Sequence, residues 1–415
     1  MKLKKKRSSD EERIDKNISL FVITFFVISA ANSTIKTVIP IPQSMFPVIS
    51  FAFACILGFL LIPILGDVLK RSLIPFVVTN SLFLFIYAIS LLQNYNHPQE
   101  IFNNAFWTFC VCIPIAICVY SVQNKEILYD VFLKGSYPIV VILSISLFFH
   151  YDDNTYNMFF SYALITPLLL HINEYVNSKK KSFLILALYE IVIIVLYGSR
   201  GALLCLAAFI LLKIIFGIKG ILKKVVIMVG GLGLVGLVII WFNKIGELVM
   251  GILENYGYYS RTLYLLFLGD VTNVSGRDAI WKKCIEMIQE KPLLGWGVGG
   301  EVRPLSIALS SSETITAHHG ALELMLHYGI PIGMILSILV ALLICRMFFI
   351  KNQFHKDLVL IYYCCAIVPM MLVGRQYLSN PQFFILLFLC LPVFKTSFVL
   401  RAERKKRSAY IFTRT

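Results

Sequence analysis

Between Lys36 and Asp67 the chain carries no charged side chain, and between Arg71 and Glu100 it again carries none. Uninterrupted runs of that length leave few folds open. About 20 apolar residues wound as a helix match the hydrocarbon core of a bilayer. The runs do not alternate in polarity, which argues against a transmembrane barrel, whose strands change face at every residue. Similar runs recur through the 415 residues, of which 58% are hydrophobic and 15% charged. A soluble domain with a mean hydropathy of +0.79 could not cover so much apolar surface. The expected fold class is an all-α polytopic membrane protein.

Twelve spans are expected, at about 17–32, 45–66, 73–92, 104–121, 136–149, 157–173, 182–197, 201–217, 224–242, 320–345, 357–374 and 381–398. The implied organisation is a basic N-terminus (1–16), nine spans (17–242), a large external loop (243–317), three further spans (318–398) and a basic tail (399–415). Charge tests this topology. With the N-terminus inside, 28 of the 38 Lys and Arg residues fall on cytoplasmic segments, among them Lys179, Lys180, Lys181 and both termini. The opposite orientation would put those clusters outside. The net charge of +15 is therefore read as positive-inside topology facing an anionic lipid surface. No nucleic acid partner is expected.

Ten cysteines show neither disulfide nor metal spacing; most lie in apolar runs and behave as small hydrophobes. Cys284 falls in the loop, on an apolar face. The leader before the first run lacks a small-residue cleavage site, so no cleavable signal is expected.

Chemistry concentrates in the polar interval before the tenth span. From Ser275 the sequence fits an amphipathic helix, opened by a capping box of Ser275 and Asp278 and closed by Pro292. Ile280, Trp281, Cys284, Ile285 and Ile288 fall on one face, and Lys282, Lys283, Glu286 and Glu290 on the other. Such a helix, with tryptophan on its apolar side, is expected to lie at the bilayer surface. Its first turn carries Arg277 beside free backbone N–H groups, a natural anion site. A turn with Gly295, Gly297, Gly299 and Gly300 follows, whose glycines would permit close approach to a ligand. Then His318 and His319 stand at the mouth of the next span, with Glu323 one turn on. Elsewhere on the external face, Arg200 sits in a tight turn and Arg375 between the last two spans. Glu190 lies inside a span, where an ionisable residue is either functional or paired, for instance with Arg200.

The runs GSRGALL (198–204), SGRDAIW through LLGWGVG (275–299) and HHGALELMLHYGIPIG (318–333) resemble the O-antigen ligase and polysaccharide polymerase superfamily. In the family's third motif, His318 takes the place of the histidine, Leu322 that of a leucine, and Gly329 and Gly333 those of the glycines. Met325 stands where a second leucine is expected, and His319 where asparagine is usual. The resemblance covers about 185–345 and implies a GT-C-like integral-membrane glycosyltransferase. It implies a donor glycan on undecaprenyl diphosphate and an acceptor glycan, with no metal and no cofactor. By motif position Arg200 and Arg277 would hold the diphosphate and His318 would act on the acceptor hydroxyl. His319, Glu323, Arg375 and Glu190 are accessory candidates. A flippase and a chain-length regulator are implied partners, beside membrane lipid.

The resulting expectation is a polymerase of lipid-linked repeat units at the outer face of the bacterial cytoplasmic membrane. A ligase, passing the finished glycan to lipid A core, protein or cell wall, is the alternative. A polytopic transporter with Glu190 as coupling site is the reading from another class; the absence of an internal repeat speaks against it.

Overall fold

The computed structural model describes residues 9–39, 42–94, 98–148, 158–197, 199–217, 277–309, 315–372 and 376–391, with 220, 251 and 255 in isolation. Among the described residues the regular structure is entirely helical. In chain order the helices are α1 (Ser9–Val38), α2 (Phe46–Gln93), α3 (Gln99–Trp107), α4 (Ile113–Ser121), α5 (Lys125–Phe148), α6 (Met158–Ser178), α7 (Lys181–Leu196) and α8 (Arg200–Gly217). After the long loop come α9 (Arg277–Glu290), α10 (Val302–Ala308), α11 (Gly320–Leu342), α12 (Gln353–Leu372) and α13 (Pro381–Cys390). Six of these segments are long and apolar enough to cross a membrane. The protein is thus polytopic in build. Phe51, Phe59 and Leu92 stand 71%, 77% and 80% exposed on α2, as side chains facing lipid would.

The expected second and third spans form one hydrogen-bonded helix, α2, broken at Ser72 (φ −136°, ψ 16°). Pro75 explains the break. It has no N–H for the carbonyl of Arg71, and its ring crowds that carbonyl. Hydrogen bonds show that the chain still crosses twice. Ser50 accepts from Lys36 at the end of α1, Arg71 bonds Asp15 near its start, and Ser90 and Asn94 reach Val298 and Trp296 of the loop. The expected fourth span begins earlier, at Gln99, and passes through a π turn at Thr108–Cys112 before α4. The short fifth span is the 24-residue α5. The ninth span, at 224–242, lies outside the described residues.

Cross-helix hydrogen bonds sort into two ends. At one, Asp15 accepts from Arg71 (2.5 Å) and from the backbone of Gln123 (3.2 Å) and Asn124 (2.8 Å). At the same end Lys213 donates to Asp357 (2.8 Å), which also takes Asn173, Asn177 and Gln353. We call this the basic end, after the Lys and Arg residues that its connecting segments carry. At the other end, Tyr87 pairs with Thr108, and Thr108 bonds the carbonyl of Leu378. Between the ends lies one apolar core, with Tyr362, Phe132, Phe160, Phe209 and Phe384 fully enclosed.

Candidate active site at the loop end

A second, smaller core holds the loop onto the bundle. Cys284, Met287 and Ile288 of α9 pack with Leu305 of α10, Ala317 and Leu326 of α11. The amphipathic helix therefore forms as expected, but its apolar face meets protein instead of the bilayer. Ile285, expected on that face, is 48% exposed and points away. Ser275 of the expected cap lies outside the described residues. Burial pushes the Cys284 thiol up to about 12.

The glycine turn serves this docking. Gly329 breaks α11 with φ +78° and ψ 171°, a conformation only glycine adopts readily. The turn pairs with the exposed backbone of that break: Trp296 N–H donates to Leu326 (2.6 Å), Gly297 N–H to His327 (3.2 Å), and Ile330 N–H to Pro292 (2.7 Å). A Cβ on Gly295 would lie 2.5 Å from the Leu326 carbonyl, and one on Gly329 2.3 Å from that of Leu293. Gly295, of the turn expected to let a ligand approach, lets the backbone of α11 come close, and Gly329 does the same from the other side.

Behind the turn runs a buried polar chain. His327 Nε2 meets Glu301 (2.9 Å), its Nδ1 meets Tyr377 OH (2.9 Å), and Tyr377 donates to Tyr328 (3.0 Å). It ties the loop, α11 and the α12–α13 connection into one unit. Neither Glu301 nor Tyr377 was expected in this role. Glu301 had only its place after the glycines as a signal, and nothing local points to a partner 26 residues away. Glu323 is also buried, one turn before His327 and one after His319, so the three share a face of α11.

The two histidines differ in geometry. His318 has φ +50°, in the left-handed region that residues with a Cβ seldom occupy. Strain of this kind is worth about 1–3 kcal/mol and gathers at functional sites. His319 follows as N-cap of α11 in extended conformation (φ −156°, ψ 116°), its side chain capping nothing. Its ring meets the edge of Trp281, centroids 5.9 Å apart and planes at 83°. Burial lowers the pKa of His319, offset in part by its own backbone, which favours the neutral ring.

This contact joins two motifs, since Arg277 stands one turn before Trp281 on α9 and is partly exposed. The N-terminal motif comes in along α8. Lys213 near the end of α8 bonds Asp357 near the start of α12, and the two helices pack against each other. Arg200 lies thirteen residues before Lys213, and Met370 thirteen after Asp357. Each stretch rises about 20 Å. The start of α8 is thus level with Met370, which touches Gly320 beside the histidine pair. Glu190 does not belong to this place: it is buried against His171 (2.8 Å), which meets Ser136 (2.8 Å). Its partner is this histidine, where Arg200 had been weighed. Arg375 lies outside the described residues.

Residues 183–337 match the O-antigen ligase family. The matched stretch contains all three motif runs and the docking core, and the resemblance to the ligase and polymerase superfamily holds. The ComP-specific O-oligosaccharyltransferase of Acinetobacter baylyi is 25% identical over 301 residues. That alignment covers 68% of this chain and 50% of the relative, so the chain spans about half the length of the curated protein it matches. Family and relative both describe glycosyl transfer by a ligase-type enzyme, so they favour the ligase alternative over the polymerase. Within the matched region, the N-terminal motif enters through α8, the middle one through α9 and the third through α11.

Proposed function

We propose that this protein is a ligase-type glycosyltransferase that moves a glycan from a polyprenyl diphosphate to a hydroxyl of a separate acceptor. The convergence of the three motif segments at the loop end carries the reading: Arg277 and His318 flank the contact between Trp281 and His319, and α8 starts at the same level. The ligase match and the relative's name favour a non-repeat-unit acceptor, such as a protein or lipid-core hydroxyl.

In this reading the guanidinium groups of Arg277 and Arg200 grip the diphosphate, which suits their bidentate fork. His318 takes the proton of the acceptor hydroxyl. The hydroxyl oxygen bonds to the anomeric carbon as the bond from that carbon to the diphosphate oxygen breaks, with inversion. The electron pair leaves with the diphosphate, whose charge the arginines stabilise. No metal takes part. In this reading the basic end is cytoplasmic, as the distribution of Lys and Arg along the chain suggests. The loop of 243–317 then works outside, on donors delivered by a flippase, with a chain-length regulator acting before transfer.

The test uses purified protein in nanodiscs with lipid-linked oligosaccharide and EDTA, with and without candidate acceptors. Transfer to an added acceptor, lost in His318→Ala and Arg277→Ala, is the expected result. A ladder of longer lipid-linked products without added acceptor would instead establish the polymerase. Full activity of His318→Ala would remove it as the base in either case.

A further inference from the structure

Two buried nitrogens at this site have no hydrogen-bond partner: Nε1 of Trp281 and Nδ1 of His319. They belong to the two rings in edge contact, 5.9 Å between centroids. A buried polar atom left unpaired costs about 1–3 kcal/mol. Two at one contact, each beside a motif residue of the proposed reaction, therefore point to a missing third group. Indole N–H can only donate. A neutral imidazole Nδ1 accepts or donates according to tautomer. One oxygen bonded to both nitrogens at about 2.9 Å each, at a roughly tetrahedral angle, holds them about 5 Å apart.

We propose that Trp281 and His319 form a subsite for a hydroxyl of a substrate sugar. A hydroxyl fits both tautomers, because its oxygen can accept from both rings or accept from one and give to the other. An ammonium cannot accept from the indole. An anion has its place at Arg277, one turn earlier on α9. The burial that holds His319 neutral favours an uncharged ligand. The inference rests on the ligase reading and adds to it the group that aligns the sugar beside His318. It also assigns a purpose to the histidine that stands where the family places asparagine: like an amide, a neutral imidazole can hold a hydroxyl.

Trp281→Phe removes the N–H and keeps a ring against His319. The experiment measures steady-state transfer in nanodiscs for wild type, Trp281→Phe, His319→Ala and the double variant, varying lipid-linked oligosaccharide and acceptor in turn. We expect the KM for one of the two substrates to rise about tenfold in each single variant, with kcat within about threefold, as for one lost hydrogen bond. The double variant should lose little more than either single one, because both hold the same oxygen. His319→Asn should recover part of the affinity. Unchanged KM for both substrates in Trp281→Phe and His319→Ala, with wild type active, would overturn the subsite and leave the ligase reading intact; the nitrogens would then hold only a structural water. Additive losses would also overturn it. Absence of any transfer by wild type would remove the ligase reading and the subsite with it.

Discussion

At the basic end of the bundle the buried charges of Asp15, Asp357 and Lys125 are matched among the described residues: Asp15 takes at least three donors and Asp357 four, while Lys125 gives to two backbone carbonyls. At the loop end the accounting is left open. Trp281 Nε1, His319 Nδ1 and Glu301 Oε2 are buried without partners, and His318 holds a strained backbone. Among the described residues the basic end has one such atom, Arg346 Nε, and one left-handed residue, Lys179 (φ +60°), while Glu190 Oε2 is unpaired deeper in the bundle. A charge met on every side steadies the fold and has nothing to offer a substrate. Unpaired groups and strain persist only where surrounding structure holds them, as the docking core does here.

Substitutions at the two ends should therefore fail differently. His318→Ala should lower transfer by about 100- to 10,000-fold, the usual worth of a general base. Arg277→Ala should fall in the same range, and neither should shift thermal unfolding in nanodiscs by more than a few degrees. Lys213→Met should do the reverse. It strands Asp357 in a buried site at about 3–5 kcal/mol, read as a lower unfolding midpoint, with turnover per folded molecule little changed. If Lys213→Met abolished turnover at full stability, the division between the ends would be wrong.

Much of this was legible in the chain. Uncharged runs announced the spans, and their basic flanks sorted the ends, because both signals are local and additive. The break at Ser72 and its cause at Pro75 were less so, since the apolar pattern continues across them. At the site, periodicity found α9, and the motifs singled out His318 and Arg277, to which the proposed reaction gives roles. What escaped was pairing. Helical spacing shows that Cys284 sits on an apolar face, but not whether lipid or protein covers it. Nor does spacing show that Glu190 meets His171, or that Glu301 meets His327, because those contacts are set by how helices pack.

Gly329→Ala probes the joint between turn and helix. The added methyl would meet the Leu293 carbonyl, and φ +78° strains any residue with a Cβ. A loss of about 1–3 kcal/mol is expected, seen as faster proteolysis of the loop and a modest fall in transfer, with the basic end still folded. Wild-type cleavage rates in this variant would mean that the turn is not held by the α11 break.

The smallest effect separates a docked α9 from one floating on the bilayer. Cys284 is fully buried in the docking core, and its thiol stays protonated at pH 8 because burial pushes it up to about 12. The reactive species is the thiolate, so a docked Cys284 should be inert to a soluble maleimide on both counts. Labelling is expected only as the protein unfolds, on the same denaturant curve as the loss of transfer. The first arrangement read from the residues, with Cys284 turned toward the headgroups, predicts labelling of the folded protein that a membrane-permeant reagent speeds. Rapid modification of Cys284 itself in the folded protein at pH 8, read at its own peptide because Cys55 and Cys110 are exposed, would detach α9 from α11. It would also remove the contact between Trp281 and His319, and with it the geometric link between Arg277 and His318.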